Sequence, residues 1–317
     1  MTVQTTRGPV AAESLGKTLI HEHIFSLYLD YRADYGFDEE LERARAAASL
    51  ADVHAAGITT VVDMTVYGLG RNVGRVKAIV DRVPGLNVAV ATGIYTFRDL
   101  PGFFRNRARF LGEDSIGDLF IRELAHGVGD SGVRAAAVKL VTDEQGVSPD
   151  MRLIARQVAR AHHATGAPII THSHSPTRQG LAQQELLRDL GVDLGRVVIG
   201  HAGDSDDLGY LEELIANGSY LGMDRFGFGF AASLEQRIDV VTALCQRGYA
   251  DRLVLSHDAN VHSDAVPDEI REDEQLREWN FRCIPDLVLP ALRERGVSEV
   301  DLHAMLTTNP ARVLDVT

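Results

Sequence analysis

The chain is short of several things, and each shortage removes a class of function. It has two cysteines, Cys245 and Cys283, among 317 residues. They stand in helical context without metal-binding spacing and are expected to be reduced core thiols, which excludes a disulfide scaffold and a cysteine zinc site. Basic residues are outnumbered, 32 Lys and Arg against 45 Asp and Glu, for a formal charge of −13. Phosphate binding needs a basic face, so nucleic acid is not an expected partner. No apolar run approaches bilayer-spanning length, so no membrane partner is expected either. The first residues, Met1 to Pro9, lack the apolar core of a secretory leader, and a cytoplasmic location is expected. Also missing is the glycine-rich phosphate fingerprint that follows the first strand of a doubly wound sheet. No linker-like shift of composition divides the chain, so residues 1–317 are expected to form one domain.

What is present is a repeated alternation. With 45% hydrophobic residues the chain can bury a large core. After a short edge strand or hairpin over 2–10, an apolar run reaches His21-Glu22-His23. Seven more short apolar runs follow: Ile58–Asp63, Asn87–Gly93, Val133–Val141, Pro168–His172, Arg196–His201, Ser219–Asp224 and Arg252–Asp258. They are too short for helices and suit strands buried on both faces. Helical segments are predicted between them, at about 38–56, 71–82, 115–126, 150–165, 178–190, 206–217 and 234–248, with closing helices at 282–295 and 298–314. Eight strands each followed by a helix predict an α/β fold, the (β/α)8 TIM barrel.

In that architecture chemistry sits at the carboxyl ends of the strands. Those ends carry His21 and His23, Lys139, His172, His201 and Asp258. Residues i and i+2 of a strand share a face, so His21 and His23 project together while Glu22 points away. Neutral imidazole and carboxylate are metal-ligand types, and their recurrence on several strand ends predicts a metal site. Lys139 admits three readings: a lysine snorkelling to solvent, a Schiff-base nucleophile, or a lysine whose charge has been inverted by reaction with CO2. An unmodified cation aimed at metal ions would be repelled.

These motifs resemble the phosphotriesterase group of the amidohydrolase superfamily, and within it the phosphotriesterase-like lactonases. The resemblance runs from Gly16-Lys-Thr-Leu-Ile-His-Glu-His to Thr308-Asn-Pro. It includes Val138-Lys139-Leu-Val, Ile170-Thr-His172, Ile199-Gly-His201-Ala-Gly-Asp204 and Leu255-Ser-His-Asp258. It implies two divalent metal ions, zinc first with iron, cobalt or manganese also compatible. His21, His23 and Asp258 would hold the more buried ion, His172 and His201 the other, with carboxylated Lys139 and a hydroxide bridging them. It further implies that Tyr95 and Arg225 orient a small-molecule substrate, that Asp258 shuttles the proton, and that the molecule is a homodimer. The polar stretch 259–280 is expected to cap the pocket through Trp279, with Phe226, Phe228 and Phe230 as further lining candidates. His257 is expected to be structural, and His174 has no assigned role.

The expected reaction is hydrolysis of a lactone, of the acyl-homoserine or simple γ/δ type, with slower cleavage of phosphotriesters and aryl esters. An amide or carbamate hydrolase, such as one acting on N-acyl amino acids, would use the same metals. A Schiff-base aldolase built on Lys139 and a non-catalytic metal-binding protein are the other readings.

Overall fold

The computed structural model describes residues 2–266 and 268–316. The chain opens with the expected hairpin, β1 (Thr2–Thr5) and β2 (Gly8–Ala11), paired antiparallel with Thr2 opposite Ala11. Eight parallel strands then follow in neighbouring order: β3 (Thr18–Ser26), β4 (Thr60–Asp63), β5 (Asn87–Gly93), β6 (Ala137–Val141), β7 (Ile169–His172), β8 (Val197–Ile199), β9 (Tyr220–Met223) and β10 (Leu253–Leu255). A further strand, β11 (Asn260–Ser263), lies beside β3 in parallel. The chain between β10 and β11 closes the circle. Asp258 N donates to His21 O at 3.0 Å and His23 N to Ala259 O at 2.9 Å. The eight-stranded barrel read from the sequence is therefore present, with β10 and β11 together forming its last stave. The start of the stretch expected to be only a polar cap is thus a strand of the sheet.

The strands are buried because their side chains serve two cores in alternation. Val61, Val138, Ile169, Val197 and Leu253 pack outward against the helices, while Val62, Ala137, Ile170, Val198 and Val254 fill the barrel interior. This two-sided burial is what makes each strand a continuous apolar run.

The helices are α1 (Leu29–Tyr35), α2 (Glu39–Ala55), α3 (Val73–Val80), α4 (Gly102–Leu111), α5 (Asp114–Ala125), α6 (Pro149–Thr165), α7 (Gln179–Asp189), α8 (Leu208–Ala216), α9 (Leu234–Gln246), α10 (Asp268–Arg271), α11 (Leu289–Glu294), α12 (Glu299–His303) and α13 (Asn309–Leu314). Several starts are fixed by side-chain caps: Asp38 accepts from Leu41 N, Asn72 from Arg75 N, Ser148 from Met151 N and Ser233 from Gln236 N. α1, α4 and the short α10 are additions to the predicted pattern.

The two closing helices are interrupted where single helices were expected. Wide, five-residue turns occupy Ile284–Val288 and Ala304–Thr308. Each precedes a proline, Pro290 or Pro310, whose missing N–H leaves a carbonyl one turn back without its regular donor. Among the described residues, no helix is long and apolar enough to cross a membrane.

Candidate metal centre

Two departures from regular strand geometry aim the imidazoles inward. Ile20 already packs in the barrel interior, so strict alternation would turn Glu22, not His21 and His23, toward the axis. Between Leu19 and Glu22 the pairing of β3 with β4 slips, Leu19 facing Val61 but Glu22 facing Asp63. This bulge inserts one residue and puts both histidines on the inner face. At β8, alternation from Val198 would likewise turn His201 outward. His201 instead takes a left-handed φ of 61° and its ring meets His172 and His21.

All six residues singled out as ligands come together at the carboxyl end of the barrel. Lys139 Nζ lies 3.2 Å from His21 Nε2, and Asp258 Oδ1 lies 3.2 Å from His23 Nε2 and 3.6 Å from His21 Nε2. His201 Nε2 faces His172 Nδ1 at 3.0 Å and Asp258 Oδ2 at 3.7 Å. Next to Lys139, Gly93 adopts φ +132°, and a Cβ there would stand 2.5 Å from the Lys139 carbonyl oxygen, so only glycine lets the two strands approach.

The donor chemistry fits bound cations. Each histidine has one ring nitrogen held by an oxygen outside the cluster. Asp224 takes His21 Nδ1 at 3.1 Å and His201 Nδ1 at 2.9 Å, Thr65 Oγ1 takes His23 Nδ1 at 2.9 Å, and Asp143 takes His172 Nε2 at 2.8 Å. The other nitrogen of each ring is thereby left as an inward lone pair. His201 Nε2 and His172 Nδ1 then present two lone pairs to one another, an arrangement that calls for a shared positive charge.

Two overlapping groups, His21–His23–Asp258 and His21–His201–Asp224, have donor atoms within 4.8 Å of one another. In the second, Asp224 already accepts both Nδ1–H groups and the His201 backbone N–H at 2.8 Å. That leaves the first as the open set.

Burial is the leading influence on charge here. It pushes His23 and His172 down to about 3, helped by Lys139 and His201 respectively, and keeps both rings in the neutral form that binds metals. His21 is lowered by burial and by Lys139. For Asp258 and Asp224, burial favours protonation, but His201 and its neighbours outweigh it and hold both carboxyls ionised. Lys139 is pushed down to about 8 by burial. It is 1% exposed and, among the described residues, has no carboxylate at ion-pair distance.

Above this cluster lies a cavity of about 270 Å³ lined by His23, Tyr95, Phe97, His172, Arg225, Phe228, Asp258 and Trp279. Tyr95 sets the edge of its ring against His172, and burial raises its phenol pKa, so the hydroxyl stays a donor. Arg225 is gripped by two carboxylates, Nε on Asp258 at 3.1 Å and Nη1 on Asp204 at 2.8 Å.

Of the three phenylalanines expected to line the pocket, only Phe228 does. Phe226 is buried in the outer core, and Phe230 is exposed and packs on Phe228. His257 faces away from the cluster as expected, bonded to Glu22 at 2.7 Å. His174 lies beyond the end of β7 and bonds Thr177, not the cluster.

A family model described as the phosphotriesterase family matches residues 1–314. The chain belongs to the phosphotriesterase family. Its members are hydrolases, and the His/Asp groups here are those of a metal-dependent one. A relative named "Phosphotriesterase homology protein" from Mycobacterium tuberculosis is 44% identical, the match covering 99% of this chain and 97% of the relative. The structure of the Mycobacterium tuberculosis phosphotriesterase superposes with a TM-score of 0.94 at 42% identity, over 99% of this chain and 98% of that one. A mutant of a Deinococcus radiodurans PTE-like lactonase superposes with a TM-score of 0.90 at 34% identity, over 99% and 100%.

Within this phosphotriesterase-family site, the three side chains that hold the imidazole rings from outside were not assigned from the sequence: Asp224, Asp143 and Thr65. Asp224 had a signal, since it stands at a strand end like the others. Asp143 and Thr65 lie in loops, and only the fold shows which ring each one holds.

Proposed function

We propose that the protein is a lactonase that opens acyl-homoserine or simple γ/δ-lactones, with slower hydrolysis of phosphotriesters and aryl esters. The carrying observation is the placement of an aromatic cavity directly over the His–Asp–Lys cluster. At about 270 Å³ it is small for a binding site and suits a compact ring whose acyl chain leaves through the mouth. His21, His23 and Asp258 would hold one divalent ion, His172 and His201 a second, and Lys139, carboxylated by CO2, would join them. Bound there, two such ions would supply a nucleophile from water at neutral pH and Lewis-acid polarisation of the ester oxygen.

The chain's own residues do the rest. Asp258 accepts a proton from the attacking water and returns it to the alkoxide as the ring C–O bond breaks. Tyr95, held protonated, donates to the ester oxygen. Arg225 keeps Asp258 oriented through its Nε and offers its remaining guanidinium nitrogen to the cavity. Neutral Lys139 is the form that reacts with CO2, and its loss of positive charge removes a buried cation that has no carboxylate partner among the described residues.

Zinc is the proposed metal, with iron, cobalt or manganese as alternatives that the same donors accept. The test is a set of rates over γ- and δ-lactones, acyl-homoserine lactones, aryl esters, phosphotriesters and N-acyl amino acids, with metal content measured on the same sample. Lactones are expected to lead in kcat/KM by at least about tenfold, equivalent to roughly 1.4 kcal/mol of transition-state binding. N-acyl amino acids turning over faster than any lactone would replace this reading with the amidohydrolase one.

A further inference from the structure

We infer that Glu22 is a positioning residue for Asp258, the buried end of a latch that runs through the 256–259 turn to Trp279 at the cavity wall. Glu22 is wholly buried, yet it bonds none of the six clustered residues through its side chain. Its Oε1 accepts from Ser256 Oγ at 2.8 Å, His257 N at 2.8 Å and His257 Nδ1 at 2.7 Å, and its Oε2 accepts from Ala259 N at 3.0 Å. These donors bracket Asp258 on both sides.

Asp258 needs a bracket. It has a left-handed φ of 54°, one of three non-glycine residues in that region among the described residues. Such a conformation is strained for a side-chain-bearing residue and persists only where its surroundings over-determine it. Here β3 holds the turn at its centre, through Asp258 N on His21 O, and Glu22 holds it at both shoulders. One sheet bulge thus performs two tasks: it turns His21 and His23 inward, and it leaves Glu22 on the opposite side, facing the 256–259 turn.

The latch continues outward. His257 Nε2 accepts from Ile284 N at 3.0 Å, so Nδ1 carries the proton and the ring is a fixed, neutral spacer. The His257 carbonyl, which belongs to the same peptide as Asp258 N, accepts from Trp279 Nε1 at 2.8 Å. Trp279 also lines the cavity. A ligand pressing on the indole therefore acts on the peptide that aims Asp258.

The inference rests on Asp258 being the group that moves the proton, and it is tested with whichever substrate the wild-type protein hydrolyses fastest. An error in substrate class then appears in the wild-type rates and leaves the comparison of variants intact. In Glu22→Gln, the amide oxygen keeps the three donors on one side while the NH2 faces Ala259 N–H, donor against donor. We expect kcat per folded chain to fall by at least about tenfold, the equivalent of one lost buried hydrogen bond, with KM changing far less. In substrate-free protein, amide hydrogen exchange over 257–259 should quicken by a similar factor while the remaining strands keep their protection.

Trp279→Phe, at a half-buried loop position, removes the outer tie and, with it, part of the cavity wall, so exchange at Asp258 is the readout specific to the tie. It should raise KM and quicken exchange at Asp258. An unchanged kcat in Glu22→Gln, or exchange that rises uniformly around the barrel, would overturn the positioning role. A Trp279→Phe protein with unaltered KM and exchange would remove the cavity end of the latch.

Discussion

Lys139 is a buried ammonium at 1% exposure whose nearest polar neighbours are an imidazole nitrogen and, at 3.5 Å, the Met64 carbonyl. A charge in such a place is tolerated only with a partner or by giving the charge up, and its lowered pKa of about 8 is the second of these in progress. The proposed carboxylation would complete the change. Lys139→Ala is expected to lose activity by at least about a hundredfold, together with part of its bound metal. Adding a short carboxylic acid, which can occupy the vacated space with an oxygen ligand, should restore a fraction of both. Full activity without the acid would refute the bridging role, and borohydride trapping with a carbonyl substrate would favour an imine instead. The residue types of this cluster were legible because metal ligands on strand ends are few, polar and regularly spaced. Their partners were not. Thr65 on His23 and Asp143 on His172 are loop residues of ordinary type, selected only by where the fold brings them.

At the scale of elements, the sequence showed the eight strands from β3 to β10, though not β11, and where most helices start, because burial period and capping residues are local signals. It did not show the slip in β3, since a bulge is a relation between two strands. Nor did it reveal the network beneath the cavity wall. Arg71 meets Glu123 of α5 with two bonds of 2.7 and 2.8 Å, and Tyr67 and Thr92 of β5 donate to the same carboxylate at 2.8 and 2.5 Å. Tyr67 in turn pairs its backbone with the segment that carries Tyr95, Tyr95 N donating to Tyr67 O at 2.7 Å. An element-level prediction follows from the burial of both charges, 6% and 3% exposed. Glu123→Ala leaves a buried guanidinium unpaired and should destabilise the protein by about 3–5 kcal/mol. Its KM should rise as well, because the Tyr67–Tyr95 bridge loosens. Arg71→Met combined with Glu123→Leu should recover most of the stability, measured by thermal unfolding, but not the tie to Tyr67. A Glu123→Ala protein as stable as wild type would show that the network carries no load.

For the molecule as a whole, bulk charge and buried histidines make opposite predictions about acid. The sequence pI is about 5.4, so lowering the pH from neutrality removes net charge and relieves self-repulsion, which alone would stabilise the fold. His23 and His172 act the other way. In the folded chain burial sets both near 3, whereas in the unfolded chain each titrates near 6.5. Between those values the unfolded state binds protons that the folded state refuses. Stability is therefore intact above about pH 6.5 and lost progressively as the pH falls toward about 3. By about pH 5 the loss is roughly 2 kcal/mol for each of the two rings. Asp258 and Asp224, held ionised in the fold, add to the same slope only further into acid, near and below the ordinary carboxylate range. Ligand-bound metal would steepen it, since ions bind only the neutral rings. Urea unfolding of chelator-treated protein should show a midpoint clearly lower at about pH 5 than at about pH 7. Equal midpoints, or a higher one near the pI, would mean that net charge dominates and that the buried rings take up protons without unfolding the barrel.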